Sequence, residues 1–136
     1  HAGEEGPTEY IWDSVNLLKV KRIDHGVQCL KDEKLVEELK KKQIPLTVCP
    51  LSNVKLGVFD KLENHNLKKM LNLGLRAMVN SDDPAYFGGY LNKNLIEIQS
   101  ALDLSIEEVK TLIINSFKSS FLDEAKKNEW ITKINK

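Results

Sequence analysis

What this 136-residue chain lacks bounds it first. It has no excess charge: 20 lysines and arginines balance 20 aspartates and glutamates, so nothing argues for nucleic acid or an anionic membrane as partner. Cysteine is scarce. Cys29 and Cys49 are the only two, both in apolar, strand-like contexts, and they form neither a disulfide framework nor a zinc-knuckle spacing. They read as core filler in a reduced, cytoplasmic setting. No run of about 18 apolar residues occurs and no signal-peptide pattern, so a soluble protein is expected. The histidines are few: His1, His25 and His65. An initiator methionine is also missing, and a loop-type sequence opening on His1 reads as a cut, not a beginning.

What is present alternates. Gly3 to Pro7 is loop and helix-entry material, its acids suited to a helix N-terminus. Residues 8 to 19 carry Ile11, Val15 and Leu18 at helical spacing. Val20 to His25 reads as a strand stopped at Gly26. Asp32 to Lys42 is a charged helix with Leu35, Val36 and Leu39 on one face, and its lysine run is a solvated face. Ile44 to Cys49 is a second strand, closed by Pro50. Leu51 to Leu62 shows no period and predicts a long loop. His65 to Asn72 is a helix ended by Gly74, the expected residue past a helix C-terminus. Leu75 to Asn80 is a third strand, followed by the Ser81-Asp82-Asp83-Pro84 turn. From Leu91 onward the pattern is helical, with Ser105 and Glu108 forming a capping box ahead of Val109 to Phe117.

Such alternation implies βαβ units, an α/β class and a parallel sheet. The polar candidates fall at the C-terminal ends of strands: His25 and Asp82 end theirs, Ser52 and Asn53 follow Cys49, and His1 would end a strand that has been lost. That rim is where a (β/α)₈ TIM-type barrel builds its active site. The steps from His1 to His25 and from His25 to Cys49 are each close to one βα unit, against about 31 residues if ~250 make eight. The expectation is therefore the C-terminal half of a barrel followed by C-terminal helices, with residues 1–136 forming a single partial domain. An open half-sheet leaves an edge and a core face exposed, so the chain is not expected to fold stably alone.

The residues on that rim suit metal-assisted hydrolysis. His1 and Asp82 are donors fit for Zn²⁺, and Asp83, next to Asp82, must then point elsewhere. Zinc would make a bound water acidic enough to act as nucleophile at neutral pH. Glu4 could deliver protons and His25 could take one from that water. Singly, each has a bland reading: a strand-end histidine is polar rim, and Asp-Asp-Pro is a turn. Four on one predicted rim favour chemistry. His65, within Asn64-His65-Asn66, reads instead as a loop or helix-cap residue, and Trp12 and Trp130 as packing residues.

Four ordered motifs then carry a resemblance: His1-Ala2-Gly3-Glu4, the strand ending in His25-Gly26, the Cys-Pro-x-Ser-Asn turn from Cys49 to Asn53, and Ser81-Asp82-Asp83-Pro84. In this order they resemble the adenosine/adenine deaminase family, one of the zinc amidohydrolase-type barrels, over residues 1 to at least 90. Arg22-Ile23-Asp24-His25-Gly26, Val48 to Leu56 and Asp83 to Tyr90 are most similar to its adenine deaminase branch. The resemblance implies hydrolytic deamination of adenine to hypoxanthine and ammonia, a purine-salvage step, with Zn²⁺ as cofactor and a small-molecule purine as partner. It implies His1 and Asp82 as metal ligands, and Glu4 as the acid that protonates purine N1. It implies His25 as the residue that orients and deprotonates the water, and Asp83 as the hydrogen-bond partner of N7. Gly3, in the first motif, is counted with Asp83 as substrate-binding. Glu4 has to hold a proton where charge develops at N1, a state favoured by a closed, desolvating pocket. Tyr86 and Phe87 are the candidates for filling the space a ribose would take.

The pattern is also incomplete. The family's H-x-H pair supplies two further zinc ligands, and no such pair exists here, so the intact parent is expected to be the enzyme and this stretch alone to be inactive. Three alternatives stay open: an adenosine deaminase making inosine, an inert or partner-binding remnant, and copper chelation by the His1 amino terminus with its own ring.

Overall fold

The computed structural model describes residues 1–136. Its elements run α1 (Thr8–Asn16), β1 (Ile23–Asp24), α2 (Glu33–Lys42), β2 (Leu46–Val48), α3 (Pro50–Lys55), α4 (Leu67–Asn72), β3 (Ala77–Val79), α5 (Pro84–Phe87), α6 (Leu91–Leu102), α7 (Ile106–Lys118) and α8 (Glu124–Ile134), with 3-10 turns at Val27–Lys31 and Leu62–Asn64. The strands pair in parallel in the order β1-β2-β3. Ala2 adds a single parallel bridge to His25 on the far side of β1. This is the α/β class expected, helix-rich around a small parallel sheet. No helix is long and apolar enough to cross a membrane.

Register decides what faces where. Asp24 pairs with Thr47 and Thr47 with Met78, while Ile23 pairs with Leu46 and Leu46 with Ala77. Successive strand residues point to opposite faces. The Ile23-Leu46-Ala77 row, with Val48 and Val79, therefore joins the core with Ile11, Leu35, Leu39, Leu67 and Met70. The Asp24-Thr47-Met78 row lines a cavity on the opposite face. Every residue of β2 and β3 is buried, one face by the core and the other within the cavity.

The helices form where their stop and start signals lie. Asp32 accepts the backbone N–H groups of Lys34 and Leu35 and so caps α2, while Trp12 donates to its other oxygen at 2.8 Å. That indole hydrogen bond, foremost, holds the Asp32 carboxyl below its usual range. Ser105 and Glu108 make the reciprocal capping box of α7. Trp130 stacks on Phe117, centroids 5.8 Å apart, which fits its reading as a packing residue. Segment 51–62 departs from the expected loop: Pro50–Lys55 is helical. Pro50 stands in the first turn, where a missing N–H costs nothing. The first helix also ends at Asn16, short of residue 19, and leaves Leu18 exposed.

Asn115 links α7 to the sheet edge by donating Nδ2–H to the Ala77 carbonyl at 2.8 Å. Asn115→Ala removes that donor from a buried carbonyl and is expected to cost about 1–3 kcal/mol, read as a lower urea midpoint at unchanged slope in the intact protein.

Candidate active site

The site gathers at the C-terminal ends of the strands, the edge at which open parallel sheets receive ligands. His25 ends β1 and Asp82 follows β3, and both have a left-handed backbone, φ 71° and 58°. Histidine and aspartate tolerate that region better than most residues. Two such residues at the ends of β1 and β3, with β2 between them, are strain of the kind found at functional sites. The turn at Gly26 continues the left-handed path, φ 70°, and the Gly26 N–H donates to the Ala2 carbonyl at 2.9 Å. The first motif is thereby fastened beside His25.

His25 is 2 % exposed and lies between two carboxylates. Its Nδ1 is 3.2 Å from Glu4 Oε1 and its Nε2 is 3.9 Å from Asp82 Oδ2. With Glu4 charged, the ring proton resides on Nδ1, and Nε2 is the free base facing Asp82. Asp82 is held at both oxygens: Ser52 Oγ–H donates to Oδ2 at 2.8 Å and the Asp83 N–H to Oδ1 at 2.8 Å. Asn53 Nδ2 donates to Glu4 Oε1 at 2.7 Å.

The other expected residues fall around this centre. His1 lines the same cavity, of about 450 Å³, with Asp24, His25, Cys49 and Asp82. Its ring centroid lies 5.2 Å from that of His25, and its Nδ1 is 3.8 Å from Asp24 Oδ2. Asp83 is turned away from Asp82. Its Oδ1 accepts the N–H groups of Ala85 and Tyr86, capping α5. Gly3 has φ 66°, and a Cβ there would collide with the buried Ile11 side chain, so its visible part is to let Glu4 reach His25. Tyr86 and Phe87 meet edge to face at 4.9 Å on α5.

Cys49 was read as core filler, and the structure puts it at the site. Its ligand atom, with those of His25 and Asp82, forms a group lying within 4.8 Å of one another. Burial first, and then the charges of Asp82, Glu4 and Asp24, push its thiol up to about 12. It keeps its proton and forms a wall, and Asp82 is the anionic donor available to a cation. Cys29 is pushed to about 12 by burial and faces only the core.

Asn53, a strand-end candidate and the last residue of the Cys-Pro-x-Ser-Asn turn, is fully buried, and His65, expected in a loop or helix cap, is 4 % exposed. The sequence carries no signal of that burial.

These features place an acid-flanked imidazole and a second, hydrogen-bonded carboxylate at the C-terminal edge of a parallel α/β sheet. The adenosine deaminase family model matches residues 1–136, and the chain belongs to that family. It is 57 % identical over 135 residues to the adenine deaminase of Acinetobacter baylyi, covering 99 % of this chain and 41 % of that protein. The crystal structure of adenine deaminase from Arthrobacter aurescens superposes with a TM-score of 0.97 at 49 % identity, over 99 % of this chain and 41 % of that one. An amidohydrolase from Burkholderia ambifaria, solved with bound zinc, shares the fold with a TM-score of 0.89 at 24 % identity, over 99 % of this chain and 38 % of that one. The chain thus spans about two-fifths of the relatives it matches.

Burial lowers His65 to about 4. Above its ordinary value of 6.5 folded and unfolded rings are both neutral and contribute no pH dependence. As pH falls from 6.5 toward 4, only the unfolded chain takes up the proton, so stability is lost across that window and the loss levels off below it. Between pH 7.5 and 4.5 urea unfolding of the intact protein is expected to show His65→Asn losing about 2–3 kcal/mol less than the parent. An equal loss in both would mean that the folded ring takes up protons as freely as the unfolded one.

Proposed function

We propose that this chain is the C-terminal part of a zinc-dependent adenine aminohydrolase, a single partial domain that contributes half of a (β/α)₈ barrel and its trailing helices to a cytoplasmic enzyme. The observation that carries the reading is His25 set between Glu4 on its Nδ1 side and Asp82 on its Nε2 side. Membership of the family and the 57 % identity to an adenine deaminase support the choice of substrate.

The donor set fits a zinc ion. Asp82 offers a carboxylate fixed by Ser52, and the His1 imidazole lines the same cavity; oxygen and imidazole nitrogen are both zinc donors. His1 and Asp82 would hold the ion, with its remaining ligands supplied by the H-x-H pair of the rest of the barrel. When bound, zinc supplies the Lewis acidity that makes water a nucleophile at neutral pH.

The chain's own residues then manage protons and position. Adenine and water yield hypoxanthine and ammonia: water oxygen bonds to C6 and the C6–N bond breaks. His25 Nε2 accepts the proton that the attacking water gives up and passes it to the C6 amino group, which departs as ammonia. Glu4, in its protonated form, gives a proton to N1 as electron density moves there, and the remaining hydroxyl proton returns to the Glu4 carboxylate as C6=O forms. The Asn53 amide holds the Glu4 carboxyl in place. Asp83 is assigned to purine N7, to which its oxygen not engaged in capping α5 would donate as a carboxylic acid; Gly3 would let the first motif lie against the base, and Tyr86 and Phe87 are assigned to the space a ribose would need.

The test is turnover of adenine and adenosine side by side by the intact, zinc-loaded protein. Adenine is expected to be consumed with equimolar ammonia and adenosine left largely intact. Preference for adenosine would move the substrate to the nucleoside. Glu4→Gln should keep its zinc and lose roughly 100-fold or more in kcat, the scale of a lost general acid. Unchanged turnover in that variant would remove Glu4 from the acid role.

A further inference from the structure

Asn53 is buried between two histidines, and only one of them belongs to the reaction. On the far side from the cavity, His65 Nδ1 accepts the Leu67 backbone N–H at 3.1 Å. A ring nitrogen that accepts must be bare, so the neutral ring carries its proton on Nε2. That nitrogen is 3.3 Å from Asn53 Oδ1. The amide is therefore oriented by complementarity: its oxygen faces the His65 donor and its NH₂ faces the site. There Nδ2 is 2.7 Å from Glu4 Oε1 and 3.5 Å from His25 Nδ1. With the amide reversed and Glu4 charged, Oδ1 would face the Glu4 carboxylate, acceptor against acceptor.

We propose that His65 is a positioning residue of the deamination, fixing through Asn53 the orientation in which Glu4 and His25 are held for proton transfer. The inference rests on the function proposed above. His65 lies outside the cavity lining and acts only through the amide. Its environment keeps the ring in the required neutral form: the Phe59 ring packs on it at 4.3 Å, and burial pushes it down to about 4. The loop 56–59 locks the arrangement, because the N–H groups of Val58 and Phe59 both donate to the Asn53 carbonyl.

Two substitutions separate the duties of the ring in the intact, zinc-loaded enzyme. His65→Asn keeps an acceptor near Nδ1 for the Leu67 N–H and deletes the donor to Asn53. His65→Gln carries an amide N–H to the place of Nε2 and deletes the cap. The Asn variant is expected to lose roughly 10- to 100-fold in kcat, the range for groups that orient a site's ligands, with little change in KM or zinc content and a lower thermal midpoint, since a buried oxygen loses its donor. The Gln variant is expected to recover most of kcat while melting earlier. ¹⁵N imidazole resonances of the unsubstituted enzyme should show His65 with bare Nδ1 and protonated Nε2 from about pH 5 upward. A parental kcat in the Asn variant, equal loss in both variants, or a protonated Nδ1 in the spectrum overturns the proposal. Absence of adenine turnover in the unsubstituted enzyme sinks the deaminase reading instead, and the tautomer still decides whether the ring orients Asn53.

Discussion

The arrangement turns on one contact set: the His25 imidazole held between the carboxylates of Glu4 and Asp82. Neither carboxylate is near His25 in sequence. Glu4 is brought there by the Ala2 bridge and by the left-handed Gly3, where any side chain would strike Ile11. Asp82 is brought there by two parallel pairings, β1 with β2 and β2 with β3. Sheet register and a glycine turn are thus parts of the chemistry. A one-residue slip would exchange the Asp24-Thr47-Met78 row for the core row and bury the wrong side chains against the helices.

Electrostatics gives the site its asymmetry. Burial, and then the charges of Asp82, Glu4 and Asp24, keep the Cys49 thiol protonated. A cluster of carboxylates with a buried imidazole attracts a cation and leaves a base available. Asp82 and Asp83 are adjacent yet have separate duties because Asp82 is left-handed. The turn sends Asp82 toward Ser52 and leaves Asp83 to cap α5. The reading of Asp-Asp-Pro as merely a turn is half true: the turn exists, and it is the device that divides the two acids.

Much of this was legible because it depends on local chemistry. Alternating apolar runs, Gly74 after α4 and the Ser105-Glu108 box each report on a few neighbouring residues, and those elements lie where expected. That His1, His25 and Asp82 line one cavity follows from strand-end placement, a rule that needs only the order of elements; the approach of Glu4 to His25 does not. Helix α3 holds less than two turns, and its Pro50 reads equally as the close of the strand before it; α4, equally short, is legible through the Gly74 that follows it. His65 was illegible for a different reason. Its sequence neighbours are polar, and its burial comes from Phe59 and from the fold of the 56–59 loop, which no periodicity encodes. Cys49 was taken for filler because strand alternation does not tell which face is the cavity until register is known.

The buried amide between the two histidines makes that illegible residue matter. A polar group in the interior is costly unless every donor and acceptor is met. Asn53 meets this by making each partner specify the next: a backbone N–H fixes the His65 tautomer, the tautomer fixes the amide, and the amide holds the acid. A hydrophobic residue at 53 would fill the same space and leave the Glu4 carboxyl free to rotate. An aspartate would set a second charge against it. Only a group with a donor at one end and an acceptor at the other transmits orientation, which is why the direction of a single hydrogen bond deep under α4 reaches the proton at the site.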